Sequence, residues 1–149
     1  MRTLVSIAAA LVLASVSMNA AASPISVNAI AETLEMQGYS VEPVQQNVIS
    51  VSVGELSILI GVAGPDGDIS YLTYLSGFSV NQVSHEFLSR FNRDIKFGRA
   101  YIDRDGDVTI QMDRNASGGI SLKNIESDFD VFLSLVSKFL SDLESATQV

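Results

Sequence analysis

Hydrophobic positions recur at three- and four-residue spacing in three stretches of the chain. The first holds Val27, Ile30, Ala31 and Leu34, with Glu32 and Glu35 on the polar side. The second holds Val83, Phe87 and Phe91, flanked by Val80 and Leu88. The third is the longest, with Leu122, Ile125, Phe129, Phe132, Leu133, Val136, Phe139, Leu140 and Leu143 on one side and Asp128, Asp130, Lys138, Asp142 and Glu144 on the other. A period of 3.6 predicts an amphipathic helix in each stretch. Ser26 or Asn28 is placed to cap the first, and Gly38 to stop it. Ser79, three residues before Gln82, reads as a capping box for the second, which ends between Asn92 and Lys96, before Gly98. Ser121 is placed to cap the third, which runs to about Leu143.

Between the helices the period drops to two. Tyr39 to Val44 reads as a strand, with Pro43 arguing for an edge position or an early end. Gln46-Asn47 follows as a turn, and Val48 to Val53 alternates β-branched residues with Ser50 and Ser52. Leu56 to Val62 is a further apolar run after Gly54-Glu55. The pattern leaves open whether it prolongs the preceding strand through a bend or folds back on it. Gly64-Pro65-Asp66-Gly67-Asp68 is a turn, and Ile69 to Leu75 is the next strand. Arg99 to Asp103 and Val108 to Met112 alternate around Asp105-Gly106, which predicts a hairpin with a two-residue turn and Gly106 at positive φ. The expected order is α-β-β-β-α-β-β-α, an α+β domain with a mostly antiparallel sheet packed against helices. No linker or internal repeat divides it.

The N-terminus is of another kind. Arg2 is followed by an uncharged apolar run from Leu4 to Val16, then Ser17, Asn19, Ala20-Ala21-Ala22 and Ser23-Pro24. This is the layout of an export signal with cleavage after Ala22. The apolar core, about 13 residues, is shorter than the roughly 20 that cross a bilayer. Residues 1–22 are therefore expected to be a signal peptide and 23–149 one domain. That domain is expected in the periplasm, or outside the cell if the host has a single membrane.

Charge narrows the partners. The chain has 9 Lys plus Arg against 17 Asp plus Glu, a formal net charge of −8. Nucleic acid and anionic lipid reward the opposite sign, so neither is an expected partner, and no later segment reads as a membrane span. There is no cysteine, hence neither a disulfide nor thiol chemistry. His85 is the lone histidine, and without cysteine it has no partners for a zinc site. No Gly-x-Ser-x-Gly, Walker loop or dinucleotide fingerprint is present. Asp103, Asp105 and Asp107 alternate around Gly106, but the EF-hand order fails, since Val108 takes the glycine position and Arg114 that of the final glutamate. No catalytic, cofactor-binding or metal-ligating residue is assigned; a weak Ca²⁺ site at the three aspartates stays an alternative to a plain turn. The one basic cluster, Arg90, Arg93, Lys96 and Arg99, either pairs with Asp94, Asp103 and Asp113 or offers an anion-binding surface with Arg93 or Arg99 as bidentate donor. Asn92, beside Phe91, would add a polar contact.

The segment Phe91-Asn92-Arg93-Asp94-Ile95-Lys96-Phe97-Gly98-Arg99-Ala100-Tyr101-Ile102-Asp103, with Asp105-Gly106-Asp107-Val108, Met112-Asp113 and Gly118-Gly119-Ile120-Ser121, resembles the YbjN-like domain family of bacterial proteins described as sensory transduction regulators. Gly38-Tyr39-Ser40-Val41 matches the family's early Gly-Tyr-x-Val. The resemblance runs from about Ala29 to Leu143. It implies a fold like that of type III secretion chaperones and brings no agreed catalytic residue. The sequence departs from the family's Asn-x-Trp-Asn at Ser89-Arg90-Phe91-Asn92, where Phe91 replaces the Trp and Ser89 the first Asn.

These readings together point to an exported, non-enzymatic protein- or peptide-binding module of adaptor, chaperone-like or sensory type, with a protein client or a second copy of itself as partner. A small-ligand or cation sensor is the alternative, and an enzyme the least favoured. The expected contact residues are Arg90, Phe91, Asn92, Arg93 and Arg99, with Leu140 on the apolar stripe of the last helix, part of which a domain this small would leave uncovered.

Overall fold

A computed structural model describes residues 23–75, 78 and 82–147. The expected export segment 1–22 and the expected cap Ser79 lie outside them. The elements are α1 (Val27–Met36), β1 (Ser40–Gln45), β2 (Val48–Val53), β3 (Leu56–Ala63), β4 (Asp68–Leu75), α2 (His85–Asp94), β5 (Gly98–Ile102), β6 (Val108–Arg114) and α3 (Leu122–Thr147). The fold is α+β, as the periodicity predicts, with one strand more than the expected order before α2. Gly54, at φ +59°, turns the chain sharply enough for Leu56–Ala63 to pair back on β2 across Gly54-Glu55, so the open alternative resolves in favour of a separate strand.

The six strands form one sheet in the order β1-β2-β3-β4-β6-β5. Every neighbouring pair is antiparallel. The first four strands form a meander. The chain then crosses by way of α2 to the far edge, lays down β5, and returns through a hairpin to place β6 against β4. Ladder rows such as Val51–Ile58–Thr73–Ile110–Ala100 are buried. The alternate residues, among them Ser50, Ser70, Gln111, Asp113 and Arg99, lie on the opposite face, as the period of two requires.

Helix boundaries follow the capping chemistry. The Ser26 hydroxyl accepts from the Ala29 amide at 3.2 Å, and Gly38, at φ +92°, ends α1 with its amide on Glu35 carbonyl oxygen at 2.9 Å. Ser121 and Asn124 cap α3 reciprocally, with the Asn124 amide on Ser121 Oγ at 3.2 Å and the Ser121 amide on Asn124 Oδ1 at 3.0 Å. The second helix begins later than its periodicity predicts, because Ser84 is its cap, accepting from the Phe87 amide at 3.1 Å.

The phenylalanines of α3 tie the domain together. Phe129 meets Tyr39 edge-on at 5.1 Å, Phe132 leans on Tyr71 of β4 at 6.0 Å, and Phe139 takes Phe87 and Phe91 of α2 at 5.3 and 5.0 Å. Phe129, Phe132, Val136, Phe139 and Leu143 are buried, so most of the stripe is core. Leu133 and Leu140 are half-buried at its margin. Among the described residues no helix is long and apolar enough to cross a membrane.

The hairpin differs from the expectation in its loop length. Ile102 pairs with Val108, and the Asp103 amide donates to the Asp107 carbonyl at 2.9 Å. The Gly106 amide reaches the Asp103 carbonyl at 3.3 Å, which centres the turn on Arg104-Asp105 rather than Asp105-Gly106. Gly106 does take positive φ, +90°, as the residue that returns the chain to β6.

Candidate partner-binding cleft

The second helix is amphipathic over ten residues. Phe87, Leu88 and Phe91 are buried, while Arg90, Arg93 and Asp94 stand exposed. Glu86 in its first turn and Arg93 in its last both complement the helix dipole. What fixes the helix against the sheet is Asn92. Its Nδ2 donates to the Ala100 carbonyl and its Oδ1 accepts from the Ala100 amide, both at 2.8 Å. The side-chain amide thus stands where a further strand's peptide would stand, on the free edge of β5. Asn92 is a structural latch that commits one amide N–H and one oxygen lone pair to β5.

Seated this way, α2 lies beside the C-terminal half of α3, and a cleft runs between them. Three adjoining depressions make it up. One of about 420 Å³ has Phe87, Phe91, Arg90 and Asp94 on the α2 side and Lys138 and Asp142 on the α3 side. The next, about 300 Å³, shares Phe87, Arg90 and Ala146 with it and adds Ser84, Glu86 and Leu143. The last, about 470 Å³, is bounded by Phe78, Leu140 and Leu143. The floor is aromatic and aliphatic, and the rims carry both signs of charge. Lys138 pairs with Asp142 one turn along α3 at 2.9 Å, and the Arg90 guanidinium lies 5.9 Å from the Phe87 ring centroid.

The expected contact residues divide accordingly. Arg90, Phe91 and Leu140 line this cleft, Phe91 as a buried floor residue. Arg93 is exposed on α2 and holds Asp94 at 3.3 Å. Arg99 lies on the opposite face of the sheet, because Ala100 beside it points into the core. The basic cluster therefore does not converge on one anion; Arg93 pairs with Asp94 and Arg99 with Asp113, the latter at 2.9 Å. His85 is exposed at the first position of α2.

Around Arg99 a polar network covers the open face. Tyr101 donates to Gln111 at 2.8 Å, and Gln111 and Ser70 both donate to Asp113 Oδ1, at 2.9 and 2.7 Å. Partial burial pushes the Asp113 carboxyl up, but the hydrogen bonds from Gln111 and Ser70 and the Arg99 charge outweigh it and hold the group below its ordinary value. Burial raises the Tyr101 phenol.

The aspartates of the hairpin act on the backbone. Asp103 Oδ1 accepts from the amides of Asp105 and Asp107 at 3.0 and 2.9 Å, so the carboxylate organises the backbone of the turn. Among the described residues no group of three or more His, Cys, Asp or Glu is placed to hold a metal ion.

Spacing did not reveal the bidentate pair in which Arg114 Nε and Nη2 donate to Asp128 at 2.7 and 2.9 Å. These hydrogen bonds raise the Arg114 pKa further and join β6 to α3. Nearby, the Tyr71 hydroxyl is buried with no hydrogen-bond partner among the described residues, and burial raises the phenol strongly. An Arg at the end of a strand and an Asp nearly two turns into a helix give no sequence signal of meeting.

Comparison with known proteins agrees with this architecture. No curated protein matches the chain. Among solved structures it is similar to that of YbjN, described as "a putative transcription regulator from E. coli", with a TM-score of 0.63 at 12% identity over 83% of this chain and 93% of that one. At that identity the likeness speaks for the fold. The family model for YbjN, "putative bacterial sensory transduction regulator", matches residues 26–145, which spans α1 to the last turns of α3 and takes in the Asn92 latch and all of the cleft but Ala146. The chain belongs to the YbjN family.

Proposed function

We propose that this protein is an exported, non-enzymatic protein- or peptide-binding module with a regulatory role, and that it holds its partner in the α2–α3 cleft. The cleft is the observation that carries this reading. Its floor is closed by buried Phe87, Phe91 and Leu143, half-buried Leu140 adds an apolar edge, and its rims of Arg90, Lys138, Asp94 and Asp142 offer charges of both signs to fix register. The description of the family as regulators supports the role. The apolar run Leu4 to Val16 with Ala20-x-Ala22 supports export, and mass spectrometry of the mature protein should find Ser23 within about two residues of its N-terminus. Intact Met1 on the cellular protein would contradict that part.

The binding role is tested by a photo-crosslinking residue at Ser145, on the cleft rim, and another at Ser70, on the open face of the sheet. The reading expects a reproducible adduct with one protein from Ser145 alone, lost on Leu140→Asp in a variant whose circular dichroism is unchanged. Adducts from Ser70 alone, or none from either, would refute it.

A further inference from the structure

At the corner where α2 gives way to β5, Phe97 is 76% exposed and has φ +70°. Among the described residues no other non-glycine residue has positive φ. A bulky side chain is disfavoured in that conformation, and such outliers gather at ligand clamps. The backbone needs the turn: Gly98, next in the chain, is packed so closely that a Cβ would come 2.7 Å from Leu135 Cδ1 and 3.1 Å from the Gln111 carbonyl oxygen. A glycine at 97 would serve that turn with less strain. The conformation therefore does not account for a phenyl ring there.

The ring borders a notch in the sheet. β5 begins at Gly98, opposite Met112, so Asp113 and Arg114 of β6 run on past the edge strand. A pocket of about 240 Å³ lies in the notch, with Phe97, Met112 and Val131 as its apolar wall and Asp113, Arg114 and Asp128 as its charged one. Asp128 takes two of the five N–H donors that a guanidinium carries, and the other three have no partner among the described residues. Asp128 accepts one bond on each oxygen, so both oxygens keep acceptor capacity. The Arg114 and Asp128 side chains are 36% and 16% exposed, so water screens them only in part.

Charge and size select the ligand. A plain anion in this pocket meets two carboxylates, and a plain cation meets the guanidinium. A zwitterion finds an opposite charge for each of its ends. The apolar wall then takes whatever side chain the zwitterion carries, and the volume suits one amino acid rather than a peptide. We propose that this pocket binds a free α-amino acid with an apolar side chain, its carboxylate on the unused edge of Arg114, its ammonium on Asp128 and Asp113, and its side chain against Phe97, Met112 and Val131. The exposed Phe97 ring is the wall that closes over that side chain. The pocket shares no residue with the α2–α3 cleft, so this site does not depend on the cleft reading.

Calorimetric titration of the mature protein with L-leucine, L-methionine and L-phenylalanine tests this. At least one of the three should bind, one molecule per chain, with a Kd of about 1 mM or tighter. The N-acetyl and the carboxamide forms of that amino acid each lack one charge and should bind at least about tenfold more weakly. Phe97→Gly, which suits the positive φ, should weaken binding by about fivefold or more with no fall in melting temperature. Val131→Trp, which fills the pocket, should abolish binding, and neither variant should lose any adduct made from Ser145. No binding of any of the three at about 10 mM, a blocked form that binds as tightly as the free amino acid, or an undiminished affinity in Phe97→Gly would each overturn the proposal.

Discussion

The two edges of the sheet are built on opposite plans. At one edge β5 is short, five residues, and sits under α2. The amide and carbonyl of Ala100 are both taken by Asn92, and Phe91, one residue earlier, is clamped between the sheet and Phe139. At the other edge β1 runs six residues with most of its side chains exposed, and although α1 packs beside it, no side chain of α1 hydrogen-bonds its backbone among the described residues. It is protected by other means: Pro43 has no donor to offer, and Val44 is an extra residue in a bulge between the Pro43–Ile49 and Gln45–Val48 pairs. A bulge and a proline deter a passing strand at little cost in packing. A latched helix does more, because it turns the edge into one wall of a cleft. The segment with the densest family resemblance, Phe91 to Asp103, is the segment that makes the latch, so its resemblance reflects architecture first and binding only through what the architecture holds in place.

The comparison can be broken most severely at Phe91. Phe91→Ala should destabilise by about 3–5 kcal/mol, since the ring is buried and packed on Phe139. Hydrogen exchange should speed up in α2 and β5 more than in β1 and β2. Equal acceleration at both edges would show that α2 is not a separable clamp.

Asn92→Ala comes next. It leaves the Ala100 amide and carbonyl without their partner, for an expected loss of about 1–3 kcal/mol, and it opens β5 to strand addition, readable as concentration-dependent aggregation. Asn92→Asp should be intermediate, because it keeps an acceptor for the amide but sets a carboxylate against the carbonyl. If urea melts place Asn92→Ala within error of the parent, the latch carries no energy.

Acid should loosen the β5 side before the β1 side. Asp113 links Arg99 of β5 to Ser70 of β4 and its pKa is lowered in the fold, so its contribution is complete above the unfolded value of about 3.9 and disappears as pH falls through the lower folded value. Both partners are about half exposed, so the effect is small, up to about 1 kcal/mol. It should be absent in Asp113→Asn, for which the slope of stability against pH below about 4 should flatten. An unchanged slope would remove Asp113 from the account.

The smallest effect is expected at the open edge. Val44→Lys places a charge on an exposed bulge residue and should change stability by no more than about 0.5 kcal/mol. A larger loss by thermal denaturation would mean that β1 is braced in a way its exposure does not suggest.

Much of this was legible in the sequence. The 3.6-residue period located all three helices, and Ser26, Gly38 and Ser121 marked ends that the structure keeps. Alternation located the strands, and of the two readings Pro43 allowed, an edge position or an early end, the structure takes the edge. What alternation could not do was decide whether Leu56 continued β2 or paired back on it, because both leave the same apolar run; the positive φ of Gly54 decides it. The start of α2 was obscured because Ser79, with Gln82 three residues on, fits a capping box, while the cap Ser84 is followed at that distance by Phe87. The cleft was less legible than the fold. Its two walls are some fifty residues apart in the chain, from Phe87 to Lys138, and no spacing rule brings them together. Arg99 looked like a neighbour of Arg90 and Arg93 until strand parity sent it to the other face. Asn92 read as a ligand contact because a side-chain amide that imitates a strand's peptide has the same composition as one that binds a ligand.

The account rests on the cleft being where the partner sits, and Arg90 tests that most directly. Arg90 is exposed on the cleft rim, over Phe87, with no ion pair among the described residues, so Arg90→Glu should leave the melting temperature within about 2 °C of the parent. Affinity capture with the tagged protein from extracts of its own host should then return a protein that the parent retains and Arg90→Glu releases, with at least about a tenfold drop in recovery, as expected when a rim contact becomes a repulsive one. If the parent's partner is retained equally by Arg90→Glu and by Leu140→Asp, both variants being folded, the cleft is not the binding site.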